Sequence, residues 1–84
     1  MFYVYALKSA TNGDLYIGYT TDLRNRVSQH NNKQVASTKP NTPWKLVYYE
    51  AYSNKSDATR REKQLKMHRA KADLKIQIEL SLNE

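Results

Sequence analysis

From its second residue the chain alternates. Phe2, Val4 and Ala6 fall on one side of an extended backbone and Tyr3, Tyr5 and Leu7 on the other, a strand's period of two in a run rich in aromatic residues. Residues 15–20 repeat the pattern. Between them stands Asn12-Gly13, a strong hairpin signal, because a type I′ turn needs positive φ at both central residues. A two-residue turn there sets Thr11 opposite Asp14, Ser9 opposite Tyr16, Leu7 opposite Gly18 and Tyr5 opposite Thr20. Directly paired residues share a face of the sheet. Tyr3, Tyr5, Leu7, Tyr16 and Gly18 therefore line one face, and Phe2, Val4, Ala6, Leu15, Ile17 and Tyr19 the other. The second face is the expected core. The first is an expected tyrosine surface with a gap at Gly18.

The period then lengthens. Thr21 or Asp22 caps a helix from Leu23 to about Asn31, with Leu23, Val27 and His30 on its inner stripe. Arg26 lies beside that stripe, one turn from His30, so the two side chains can reach a common point. Residues 31–43 are polar and carry Pro40 and Pro43, which predicts a loop with a short turn of helix near Val35. Trp44 to Tyr52 is a third strand. Ser56 caps a second long helix, with Asp57 complementing its dipole. Ala58, Glu62, Leu65 and Arg69 follow i, i+4, i+7, i+11, which sets Glu62 in the middle of an inward stripe. In the last segment Leu74, Ile76, Ile78, Leu80 and Leu82 alternate as a strand would, while the surrounding Ala, Lys, Gln and Glu favour helix. Helix is the expectation. The result is one small α+β domain of order β-β-α-β-α-α: residues 2–70, with 71–84 a C-terminal helix or tail packed on the same domain.

Composition narrows the partners. At 84 residues there is room for one domain. Fourteen Lys and Arg against eight Asp and Glu give a net charge of +6, a field that draws polyanions. The absence of cysteine excludes disulfides and thiolate metal sites, and with no basic leader or cleavage signature it points to the cytoplasm. No apolar run approaches the ~20 residues of a membrane helix, so no membrane partner is expected. There is no P-loop, no Cys/His cluster and no Ser/His/Asp set.

Three groups of residues can carry chemistry. Glu62 can pair with Arg61 or Lys66 on a solvated helix. Its inward phase favours a second role, since a lone carboxylate near a basic, aromatic face suits a divalent cation bound also by waters and substrate phosphate. Arg26 offers a rigid donor fork for a phosphate, and His30 titrates near neutrality and can orient water or act as acid or base. Tyr5 and Tyr16 share a face beside Gly18, though a phenol near pKa 10 is a poor base until cations depress it. Basic residues from Lys55 to Lys75, among them Arg60, Arg61, Lys63, Lys66 and Arg69, form the expected surface for nucleic-acid backbone, with Arg24 and Lys39 as further contacts.

These residues resemble a known family. Tyr3-Val4-Tyr5, then Tyr16-Ile17-Gly18, then Asp22-Leu23-Arg24-Asn25-Arg26 and His30, are similar to the GIY-YIG nuclease domain. Trp44 to Glu50 and Arg60-Arg61-Glu62-Lys63-Gln64-Leu65-Lys66 extend the likeness to about residues 2–70. In particular the chain resembles short stand-alone bacterial members related to the N-terminal nuclease domain of the UvrC excision-repair subunit. The resemblance implies a three-stranded antiparallel sheet flanked by helices. It also implies an endonuclease that hydrolyses DNA phosphodiesters with one divalent metal, Mg²⁺ or Mn²⁺, with structure-selective cutting and a link to repair or recombination as further expectations. Position by position it assigns Tyr16 to activating the attacking water, Tyr5 to holding it, Arg26 to the scissile phosphate and Glu62 to the metal. His30 matches a histidine of many members, and the general base is Tyr16 or His30. The alternatives are a non-catalytic nucleic-acid-binding module on the same fold, and a domain that pairs with a protein partner or a second copy through residues 72–84.

Overall fold

The sheet has the order β2-β1-β3, so β1 (Phe2–Ser9) is paired on both edges, with β2 (Leu15–Thr20) on one side and β3 (Trp44–Tyr52) on the other, both antiparallel. The computed structural model describes residues 1–84. Helix α1 (Leu23–Asn31) follows the hairpin and a single 3-10 turn (Lys39–Asn41) precedes β3. Helices α2 (Lys55–Leu65), α3 (His68–Gln77) and the short α4 (Glu79–Leu82) complete the chain.

The hairpin register differs from the two-residue turn by two positions. Lys8 pairs with Leu15, Leu7 with Tyr16, Tyr5 with Gly18 and Tyr3 with Thr20. The reason lies in Ser9, whose buried hydroxyl accepts the N–H groups of Thr11 and Asn12 at 3.1 and 3.3 Å, while Asn12 Oδ1 accepts the N–H of Asp14 at 3.0 Å. These bonds stabilise a longer loop in which only Gly13, at φ 77°, is left-handed. Because the shift is even, every side chain keeps the face the alternation predicted.

On the second face Val4, Ala6, Leu15 and Ile17 pack against Ala58 and Leu65 of α2, Leu74 of α3 and Ile78. The first face is not a surface. Tyr5, Leu7 and Trp44 are buried there beneath α1, flanked by Tyr16, Leu23, Val27 and Leu46. A bulge opposite Ala6 and Leu7 makes this possible: Tyr5 pairs with Tyr49 but Leu7 with Leu46, so β3 gains a residue and turns Leu46 and Trp44 onto the Tyr5 face.

The helix ends also depart from expectation. Asp22 caps α1, its carboxylate accepting the Asn25 N–H at 3.1 Å. Asn54, not Ser56, caps α2, with Oδ1 accepting the Ser56 N–H at 2.8 Å. The predicted second helix breaks at Lys66-Met67, where Met67 is extended (ψ 142°), so the inward stripe stops at Leu65 and Arg69 is exposed on α3. The C-terminal segment is helical: Leu74 and Ile78 are buried one turn apart, and Ile76 and Leu80 point to solvent. The turn expected near Val35 begins there, with the N–H groups of Thr38 and Lys39 bonded to its carbonyl, and its 3-10 segment lies at Lys39–Asn41. No helix is long and apolar enough to cross a membrane.

Candidate active site

Gly18 is where the site starts. A Cβ at this position would lie 2.3 Å from Cζ and the hydroxyl of Tyr5, so the glycine is the space in which the Tyr5 ring rests. That leaves the Tyr5 hydroxyl 2.8 Å from His30 Nε2. His30 Nδ1 in turn is 2.8 Å from the hydroxyl of Thr38. His30 and Thr38 are both 0% exposed, although His30 ends a helix and Thr38 belongs to a loop. The loop is pinned by Trp44, whose indole N–H donates to the Thr38 carbonyl at 2.9 Å, and whose backbone N–H and carbonyl both bond the Asn31 side chain. Burial, and secondarily the charge of Arg26, lower the His30 pKa from 6.5 to about 4, so the imidazole is neutral at pH 7.

Tyr16 stands beside this pair. Its ring meets that of His30 edge-on at 5.1 Å between centroids, with Tyr5 at 6.4 Å and Trp44 at 6.1 Å. The half-buried ring carries its hydroxyl to solvent, outside the internal hydrogen-bond network. Burial pushes the Tyr5 phenol above 10; the Arg26 guanidinium, by hydrogen bonding and charge, pulls it down, and the charges of Tyr16 and Glu62 push it up. Tyr5 thus lies within the field of Tyr16, Arg26 and Glu62 at once. Arg26 also donates to Gln29 Oε1 at 3.0 Å.

Glu62 is half-buried beside Ala58 and Leu65, and its one ionic partner is Lys66, i+4 on the same helix, at 3.2 Å. The helix pair with Lys66 forms, and the carboxylate's charge also reaches Tyr5. No group of three or more His, Asp or Glu could hold a metal by itself. The donor set fits a hard divalent ion that takes one carboxylate and fills its remaining positions with water and phosphate oxygen. The GIY-YIG family generally uses such an ion.

The basic candidates divide. Arg24, Lys39, Lys63 and Arg69 are exposed. Arg60 pairs with Asp57 at 2.6 Å on the surface, and Lys66 with Glu62. Arg61 is committed elsewhere: its Nε and Nη2 donate to Glu50 at 2.9 to 3.1 Å and its Nη1 to Gln64 at 2.8 Å. Glu50 also accepts the hydroxyls of Tyr48 and Tyr52; burial first, and these bonds second, raise both phenols, Tyr52 to about 12. Sequence reasoning missed this cluster and missed Thr38. Glu50 had left a signal, an acid inside the most apolar strand; Thr38 had left none.

A three-stranded antiparallel sheet with two tyrosines and a histidine packed together beneath α1 sets the comparison. The family model for the GIY-YIG catalytic domain matches residues 1–75, and the chain belongs to the GIY-YIG family, a family of nucleases. A UPF0213 protein of Pediococcus pentosaceus is 43% identical over 76 residues, covering 89% of this chain and 79% of that protein. A UPF0213 protein of Staphylococcus haemolyticus is 43% identical over 75 residues, covering 88% and 90%. The solution NMR structure of a UPF0213 protein from Bacillus halodurans superposes with a TM-score of 0.56 at 36% identity, covering 88% of this chain and 82% of that one.

Proposed function

We propose that this domain is an endonuclease that hydrolyses DNA phosphodiesters with one divalent cation, Mg²⁺ or Mn²⁺. The observation that carries this reading is the division of labour among the aromatic groups. Tyr5 and His30 are bonded to each other and buried, while Tyr16 beside them keeps a hydroxyl free toward solvent. His30, with both ring nitrogens occupied, is an orienting group; the group placed to activate the attacking water is Tyr16, whose oxygen takes the water's proton as its own hydroxyl proton passes to solvent. The water oxygen bonds to phosphorus, the bond from phosphorus to O3′ breaks, and the departing O3′ takes a proton from solvent, so the products are a 5′-phosphate and a 3′-hydroxyl. Arg26 opposes the charge that grows on the phosphorane oxygens. Glu62 would hold the cation, which when bound supplies Lewis acidity and counter-charge at the phosphate. Arg24, Lys39, Arg60, Lys63, Lys66 and Arg69 supply backbone affinity that weakens with salt and carries no base readout. A substrate recognised by shape, such as a branched or nicked DNA met in repair or recombination, suits this surface, and the cytoplasm is its compartment.

The test is cleavage of branched, nicked, single-stranded and duplex DNA in Mg²⁺ or Mn²⁺ against EDTA. Glu62→Gln and Tyr16→Phe should each reduce the rate by about 10²- to 10⁴-fold. Metal-dependent cutting that survives both substitutions sinks the proposal, and tight binding without any cutting leaves a nucleic-acid-binding module.

A further inference from the structure

Tyr16, Arg26 and Glu62 do not explain why Tyr5 and His30 meet in one orientation. An imidazole flanked by two hydroxyls has two neutral tautomers, and each reverses the hydrogen bond to Tyr5. A hydroxyl has one hydrogen to give. The carbonyl of Val35, 3.3 Å away within the same turn, can only accept, and a Thr38 hydrogen given to it leaves only lone pairs for His30 Nδ1 at 2.8 Å. Both residues are shut off from water, so no solvent molecule can take over the role. Thr38 cannot readily turn away, because its N–H is bonded to Val35 at 3.2 Å and its carbonyl to the Trp44 indole.

We propose that Thr38 is a positioning residue of the site: by accepting the Nδ1–H of His30 it fixes one imidazole tautomer, so that Tyr5 donates its O–H to Nε2 and turns its oxygen lone pairs toward the reacting groups. The chain of donors then runs in one direction, from Tyr5 to His30 to Thr38 to the Val35 carbonyl. Tyr5 becomes a fixed acceptor, able to hold a water or an N–H of Arg26 without competing for the proton that Tyr16 must receive. The same arrangement keeps His30 from acting as a base, since Nε2 is already bonded to Tyr5 and a pKa near 4 leaves the imidazole a weak proton acceptor. The catalytic consequence rests on the nuclease reading; the tautomer does not.

Long-range ¹H–¹⁵N correlation spectra of the full chain at pH 7 read the tautomer directly. Only two histidines are present, and His68 is exposed, so the His30 pattern stands apart. The wild type and Thr38→Ser should show the Nδ1–H form. Thr38→Val, equal in shape but without a hydroxyl, should lose it. In the cleavage assay Thr38→Val should lower kcat by roughly 10- to 100-fold, the size of effect seen when a group that orients a histidine is removed. KM should hold, and Thr38→Ser should restore the rate. An Nε2–H tautomer in the wild type overturns the proposal, even if the valine variant fails to fold. So does an unchanged Nδ1–H form in Thr38→Val, or a serine variant as slow as valine. A wild type that cuts nothing removes the nuclease reading instead, and the spectra still decide the role of Thr38.

Discussion

The two faces of the sheet hold their neighbours by different means. Toward α2 and α3, strand β1 offers Val4 and Ala6, and the contact is apolar area taken out of water, which has no preferred direction. Toward α1 the same strand offers Tyr5 and Leu7, and the contact is a line of hydrogen bonds through His30 and Thr38, seated on a single missing Cβ. One face tolerates swaps that conserve volume; the other depends on donors, acceptors and a glycine-sized gap. Stability and chemistry are therefore interleaved residue by residue along one strand, and they should be separable by mutation.

The largest effect is expected on the apolar face. Leu65→Ala, at a side chain 1% exposed, should cost about 2–5 kcal/mol in urea unfolding while leaving cleavage per folded molecule unchanged. If that specific rate falls with the stability, the two faces are not independent. Gly18→Ala comes next, at about 1–3 kcal/mol from overpacking. Its Cβ must displace the Tyr5 ring from His30, so cleavage should fall far beyond what the loss of folded protein explains. An active Gly18→Ala protein would mean that the contact between Tyr5 and His30 is dispensable.

Acid should take the faces apart in sequence. The unfolded chain protonates His30 near 6.5 and the folded chain only near 4, so the unfolded state binds more protons between these values and stability falls as pH drops through that window. The loss should be on the order of 3 kcal/mol, and His30→Asn should flatten it. Glu50 behaves differently. Burial alone would raise its pKa, but hydrogen bonds from Arg61, Tyr48 and Tyr52 outweigh this and hold it below the usual 4.5. Its contribution is present above that value and is lost only as pH falls further, a lower limb that Glu50→Gln should remove from a plot of Tm against pH. The smallest effect has the opposite sign. Lys33 has φ 61° just beyond α1, where its N–H and that of Gln34 bond back to His30 and Gln29, and Lys33→Gly should stabilise by about 1 kcal/mol in the same unfolding assay.

What could be read from the sequence follows from which interactions leave a period. Alternation assigned both faces of β1 and β2, and survived a register error because the error was even. Helix phase brought Glu62 inward before any contact was known. The burial of the tyrosine face was not legible, because α1 carries only Leu23 and Val27 as apolar cover and the rest comes from Trp44, which a bulge turns inward. The break after Leu65 has no Gly or Pro to announce it. Thr38 is the extreme case: one threonine in a polar loop, given meaning by a histidine eight residues earlier and an indole six residues later.

That indole also makes the molecule its own reporter. Trp44 is the only tryptophan, 6% exposed, hydrogen-bonded to the residue that orients His30 and edge-on to the ring of Tyr16. Its emission therefore samples the α1 side of the sheet alone, whereas far-ultraviolet circular dichroism is dominated by the helices, most of which pack on the other side. Recording both signals through one denaturant titration distinguishes a domain that opens all at once from one whose α1 side loosens first, with no label attached.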